Sequence, residues 1–186
     1  MFLLPEDSPL KSFLGTYLLS LLADGENLLK TVEESNAYFT DYSFVVFPFA
    51  KAYEGFLKDL FFRLGVISEK EYIGHRFRIG KALNPNLEKS YRHKESVYDR
   101  LSNYCKDLSL AQELWDTWKR GRNLTFHYFP QNHHKLTLKE AKYLIVDILA
   151  VMEKALRECK VGYNNAYEQK QANLHDRNFS RPKISW

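Results

Sequence analysis

Between Asp41 and Leu64 the chain reads DYSFVVFPFAKAYEGFLKDLFFRL. A stretch this apolar and this long, if helical, has very little polar surface to offer water. It therefore has to lie at the centre of a fold, with other elements wrapped around it. Asp41 is a plausible N-cap, and Gly65 is a suitable residue for the C-terminal turn. Pro48 is early enough to kink the helix or to restart it. The stretch is shorter on uninterrupted apolar residues than a membrane span requires, and no other run reaches roughly 18. The start, Met1-Phe-Leu-Leu-Pro5, lacks a basic region and soon meets Glu6 and Asp7, so it does not read as a signal peptide.

The flanking sequence supplies further helices. Ser8-Pro9 places a capping residue before a proline at the first helical position, and Leu10 to Leu22 is amphipathic. Asp24-Gly25 is expected to interrupt that helix, with resumption to Glu34. Ser68-Glu-Lys-Glu71, Ser109-Leu-Ala-Gln112 and Thr137-Leu-Lys-Glu140 are capping-box patterns that open three more. Asn84-Pro85-Asn86 is a turn signal, and Glu88 to Lys106 is expected to be helical. The helix through Trp115 and Trp118 must end by Pro130. After Thr137, apolar residues recur at alternating spacings of three and four: Leu138, Ala141, Ile145, Ile148, Met152, Ala155 and Cys159. That is a heptad seam of about three heptads, and packing on the bundle is expected before packing on a partner chain.

No segment shows strict strand alternation. The 8 Gly and 6 Pro among 186 residues are too few for a turn-rich sandwich or barrel. Hydrophobic residues at 45% exclude a wholly disordered chain. The expected fold is all-α, a single bundle of about five helices over residues 1–159. Residues 160–186 are rich in Asn, Gln, Lys and Tyr without a periodic apolar face, and form a polar basic tail. Cys105 and Cys159 lie far apart with no CxxC partner, so free buried thiols in a reducing cytoplasm are the expectation.

Charge is unevenly distributed. Residues 1–64 hold 5 Lys and Arg against 9 Asp and Glu, whereas residues 65–135 hold 13 against 8. A basic run usually marks a solvated face, and otherwise a phosphate-contacting one. Within the basic segment one stretch stands apart: Trp118-Lys-Arg-Gly-Arg122-Asn123-Leu-Thr-Phe-His127-Tyr128. An Arg, an Asn and a His fall within six residues, and no acid occurs between Asp116 and Lys135. Metal-free RNA cleavage needs a base for the ribose 2′-OH, an acid for the 5′-oxygen, and positive charge on the phosphorane. A histidine can fill either proton-transfer role near neutral pH, and His127 is the candidate. Arg122 stays charged and presents a planar fork to phosphate oxygens.

Arg122 followed by four residues and His127, with Asn123 directly after the arginine, resembles the R-x4-H motif of HEPN domains. These are small all-α bundles, many of them metal-independent RNases that act as dimers. The likeness covers roughly residues 10–159, and the segment around Tyr53-Glu54-Gly-Phe-Leu-Lys58 resembles the second helix of that group. It is most similar to the RNase domain of RNase LS type toxins from toxin–antitoxin systems. In those a helix-borne Glu joins the Arg and His, and Glu54 is the matching position. Phe129 stands where some HEPN toxins carry Tyr two residues past the His, so a contact made through that Tyr does not transfer.

The resemblance implies an endoribonuclease of toxin or phage-defence type, cytoplasmic, without metal or nucleotide cofactor. It implies catalytic roles for Arg122, His127, Asn123 and Glu54, RNA contacts from Lys119, Arg120 and Tyr128, an RNA substrate, a homodimer and an inhibitory antitoxin protein. The alternative is a HEPN-type dimeric module that binds a partner or a nucleotide without cleaving, and a third is an accidental motif in a helical binding protein. Asn123 serves either to orient Arg122 or to cap the helix end. Glu54 serves either as a structural partner of Lys58 or as a carboxylate paired with Arg122 or sharing proton transfer with His127. Trp118 belongs to the core, to an interface or to a base-stacking surface, and His133-His134 reads as a wet loop. Five residues of regular helix rotate about 500°, which leaves Arg122 and His127 about 140° apart. Either the helix distorts before Pro130, or two copies face each other across a twofold axis and build a composite site.

Overall fold

The hydrophobic stretch forms the axis around which the rest is arranged. In the computed structural model, which describes residues 4–159 apart from 36, 89, 91, 93–95, 102, 108, 129 and 131–133, it is helix α3, Ser43–Arg63. Before it come α1, Pro9–Phe13, and α2, Thr16–Glu34. After it come α4, Glu69–Ile73, α5, Ile79–Ala82, and α6, Tyr98–Leu101. Helix α7, Leu110–Trp118, runs straight into a π-helical segment, Lys119–Leu124, and α8, Leu138–Glu158, closes the order. Among the described residues there is no strand, only an isolated bridge between Cys105 and Cys159. The fold is all-α. Among the described residues the eight α-helices exceed the expected five because α1, α4, α5 and α6 are single turns of four or five residues.

Helix α3 packs against α2, α8, α4, α5, α7 and the π-helical segment. Val45, Val46, Phe49, Tyr53, Phe56, Leu57, Leu60 and Phe61 are all fully buried, each of the larger ones contributing about 1.5–3 kcal/mol of transfer free energy. The Tyr53 hydroxyl donates to the Leu114 carbonyl at 2.9 Å and so ties α3 to α7. Burial pushes the Tyr53 hydroxyl well above its ordinary pKa, so it remains a donor. Helix α3 runs through Pro48 without restarting. It begins one residue later than expected: Tyr42 is the N-cap position, while the Asp41 carboxylate still accepts from the Ser43 amide at 2.9 Å. The same oxygen accepts from the Leu136 amide at 3.0 Å, which fixes the start of α3 beside the start of α8. At the other end Gly65 takes φ +70°, with the Val66 amide bonded to the Phe61 carbonyl, a Schellman turn that only glycine enters without strain.

Several expectations are corrected. Helix α2 does not break at Asp24-Gly25; the break lies earlier, at Leu14-Gly15, and α2 then continues to Glu34. Gly25 is there for packing: a Cβ on it would lie 2.6 Å from the Phe49 ring, so its absence lets α2 close onto α3. The expected helix from Glu88 to Lys106 is interrupted at Ser96 and Val97, and its end, 103–106, is turn, bridge and bend. The box at Ser109 does not form. Its hydroxyl donates to Asp107 and Glu113 instead, whereas the boxes at Ser68 and Thr137 are complete. The heptad seam is buried from Ala141 to Cys159 and packs on the bundle. The expected tail, 160–186, lies outside the described residues.

The cysteines are not free. Cys105 and Cys159 form a disulfide across a sequence separation of 54, fastening the end of α8 to the segment before α7. The sequence showed no pairing signal because the two meet only through the fold. Around the bridge, the Lys106 amide donates to the Glu158 carbonyl, and Lys154 reaches Asp107 at 2.8 Å and Glu113 at 2.7 Å. Hydrogen bonds from Lys154, then from Ser109, hold the Asp107 carboxyl down to a pKa of about 2, and the same two partners lower Glu113. Lys154 is raised in return.

Candidate functional site

Arg122 sits where the helical ladder is locally wider. Residues 119–124 are wound as a π-helix, in which amides reach five residues back rather than four, and the chain returns to α geometry only at Thr125 and Phe126. The Thr125 hydroxyl donates to the Arg120 carbonyl at 2.6 Å, a bond of the same five-residue span. Of the two ways to converge the motif, helix distortion is therefore present in the chain itself. Gly121 permits the approach to α8, since a Cβ there would stand 3.0 Å from Ile148 Cδ1. The helical turn ends at Phe126, ahead of Pro130.

The widened turn faces α3. Arg122 Nε lies 3.5 Å from Glu54 Oε2, with the two side chains 39% and 38% exposed. Glu54 thus pairs with Arg122 rather than with Lys58, across 68 positions of sequence. Together with Phe47, Ala50, Lys51 and Phe126 they line an open pocket of about 220 Å³. Phe47 and Phe126 meet edge to face with ring centroids 5.6 Å apart, and Phe47 remains 53% exposed. Lys51 is exposed beside them, its ammonium 5.9 Å from the centre of the Tyr17 ring.

The other expected residues fall nearby but not together. His127 is exposed directly after Phe126 and is not among the residues that line the pocket. Asn123 is half-buried, and among the described residues no hydrogen bond joins it to Arg122; the carboxylate of Glu54 holds the guanidinium instead. Arg120 is paired with Asp147 of α8 at 3.4 Å, Lys119 is exposed, and Tyr128 is 83% exposed. Trp118 stacks on Trp115 and covers Gly80, where a Cβ would stand 2.2 Å from the indole, so its ring is used for packing rather than for bases. Among the described residues no group of three or more His, Cys, Asp or Glu is placed to hold a metal, and no helix is long and apolar enough to cross a membrane.

Phe47, Lys51 and Phe126 were not singled out in the sequence. A signal was present for two of them. Phe47, Lys51, Glu54 and Lys58 recur at spacings of three and four, and mark the one side of α3 that is not sealed in the core. Phe126 carried no such signal. Compared with known proteins, the chain matches no protein-family model, no curated protein and no solved structure.

Proposed function

We propose that the protein is a metal-independent endoribonuclease that cleaves RNA by attack of the ribose 2′-OH. The observation that carries this is the Glu54–Arg122 pair, drawn together from α3 and a π-helical turn at the wall of an open pocket. A guanidinium fixed by a carboxylate is oriented before substrate arrives, and such preorganised donors are worth ~3–4 kcal/mol to a developing phosphorane. Arg122 stabilises the phosphorane, Glu54 positions Arg122, and His127 transfers protons. A base and an acid are both needed, and one imidazole per chain supplies them in one cleft when two copies pair. The proposed active form is therefore a homodimer with a composite site. The proposed setting is a toxin or phage-defence nuclease of the HEPN group, restrained by an antitoxin protein.

His127 does not line the pocket, and that favours a second reading, a dimeric module that binds a phosphate or nucleotide through Arg122 without cleaving it. Digestion of RNA in EDTA by wild type and Arg122→Ala, with end-group analysis, separates the two. Cleavage leaving 2′,3′-cyclic phosphate, lost in the variant, is the expected result. RNA bound but intact selects the module. Sedimentation of the active species tests the dimer: a monomer with full activity overturns the composite site.

A further inference from the structure

The pocket contains more than the charged pair needs. Phe47 and Phe126 add an aromatic wall, and Lys51 adds a second cation one turn from Phe47 on α3. An edge-to-face pair covers only part of each ring, and Phe47 stays more than half exposed to solvent. The pocket thus brings an exposed phenylalanine together with two cationic side chains, Lys51 and Arg122. It matches the two parts of single-strand nucleic-acid binding, a ring that stacks on a base and a cation that meets the backbone. The volume, about 220 Å³, is below the roughly 300–1,000 Å³ of sites that enclose drug-sized ligands, so it takes a single ring with the rest of the chain left outside.

We propose that Phe47 and Lys51 form a base-binding subsite for single-stranded RNA, with one unpaired base stacked on the Phe47 ring and Lys51 on a phosphate beside it. Resting on the RNA reading of the Arg122 site, it places that base next to the guanidinium, because Arg122 and Glu54 line the same pocket. Stacking is tolerant of base identity, so the subsite selects unpaired RNA over duplex rather than one sequence over another. A paired base keeps its faces covered by its neighbours and has none to give Phe47.

The test measures binding rather than cleavage. The probe is a short fluorescein-labelled 2′-O-methyl oligoribonucleotide of mixed sequence, which lacks the nucleophile and stays intact, titrated by anisotropy at several salt concentrations. Phe47→Ala should weaken binding about tenfold without changing the salt slope, and Phe47→Trp should restore it. Lys51→Gln should lower the salt slope by about 0.7, the loss of one phosphate contact on a single strand. A duplex of the same sequence should bind wild type and Phe47→Ala alike. Failure of wild type to bind the probe, or binding indifferent to both substitutions, overturns the subsite. Its failure is distinct from that of the nuclease reading: a protein that cleaves RNA but ignores Phe47 loses only the subsite. One that binds through Phe47 and cleaves nothing loses only the cleavage.

Discussion

Replacing Arg122 with alanine removes both the guanidinium and its contact with Glu54, and the two losses have very different sizes. At 3.5 Å and an effective dielectric of 20 the bare attraction would be about 5 kcal/mol. Both side chains are more than a third exposed, so water screens the pair and each partner regains solvation once freed. Pairs of that exposure contribute about 0–1 kcal/mol to stability. For a chain of this length 1 kcal/mol moves the melting temperature by about 2–4 °C, so Arg122→Ala should melt within that range of wild type. The catalytic loss is of another order. Removing one preorganised donor from a transition state costs about a hundredfold to a thousandfold in rate. Melting curves and initial cleavage rates in EDTA, taken on the same preparations, read the two effects separately. Glu54→Gln should slow cleavage in the wild-type background and do little once Arg122 is gone, because it acts through the guanidinium. A melting temperature lowered far beyond this range with the rate per folded molecule unchanged would show the pair to be structural and refute the reasoning.

Three further outcomes concern the scaffold. Opening the Cys105–Cys159 bridge, by reductant or by Cys105→Ser, releases a loop closed over 54 positions, for which chain entropy gives about 4 kcal/mol; denaturant titration with and without reductant should show a loss of that order. Asp107, held at about 2 by Lys154 and Ser109, contributes stability that is present above its unfolded value near 4 and lost as pH falls through 2. The gap in melting temperature between wild type and Lys154→Gln should therefore be open at pH 5 to 7 and close toward pH 2, and a constant gap would count against the assignment. Gly80→Ala places a Cβ where the Trp118 indole lies; overpacking of this kind costs about 1–3 kcal/mol, and tryptophan emission should shift as the end of α7 is displaced.

The class of fold and most helix ends were legible in the sequence because they depend on neighbours a few residues away. Capping boxes at Ser68 and Thr137, the proline after Ser8, the positive-φ glycine at 65 and the three-four spacing after Thr137 all act within one or two turns. Gly25 misled for the same reason: locally it reads as a helix breaker, and only the Phe49 ring lying against it shows its use. Ser109 likewise has the right neighbours for a box, but Asp107 and Glu113 compete for its hydroxyl once Lys154 draws them together.

By itself the sequence determined that α3 must be central, that the seam of α8 must be covered, and that Arg122 and His127 share one helix end. Those follow from apolar area and helical period, which every segment carries with it. Only the tertiary structure decided that Glu54 meets Arg122, that Phe47 and Lys51 join them, that Cys105 finds Cys159, and that the turn holding the arginine is wound wide. The meetings of Glu54, Phe47 and Lys51 with Arg122, and of Cys105 with Cys159, depend on where distant segments come to rest against the same core, and no local pattern specifies that distance.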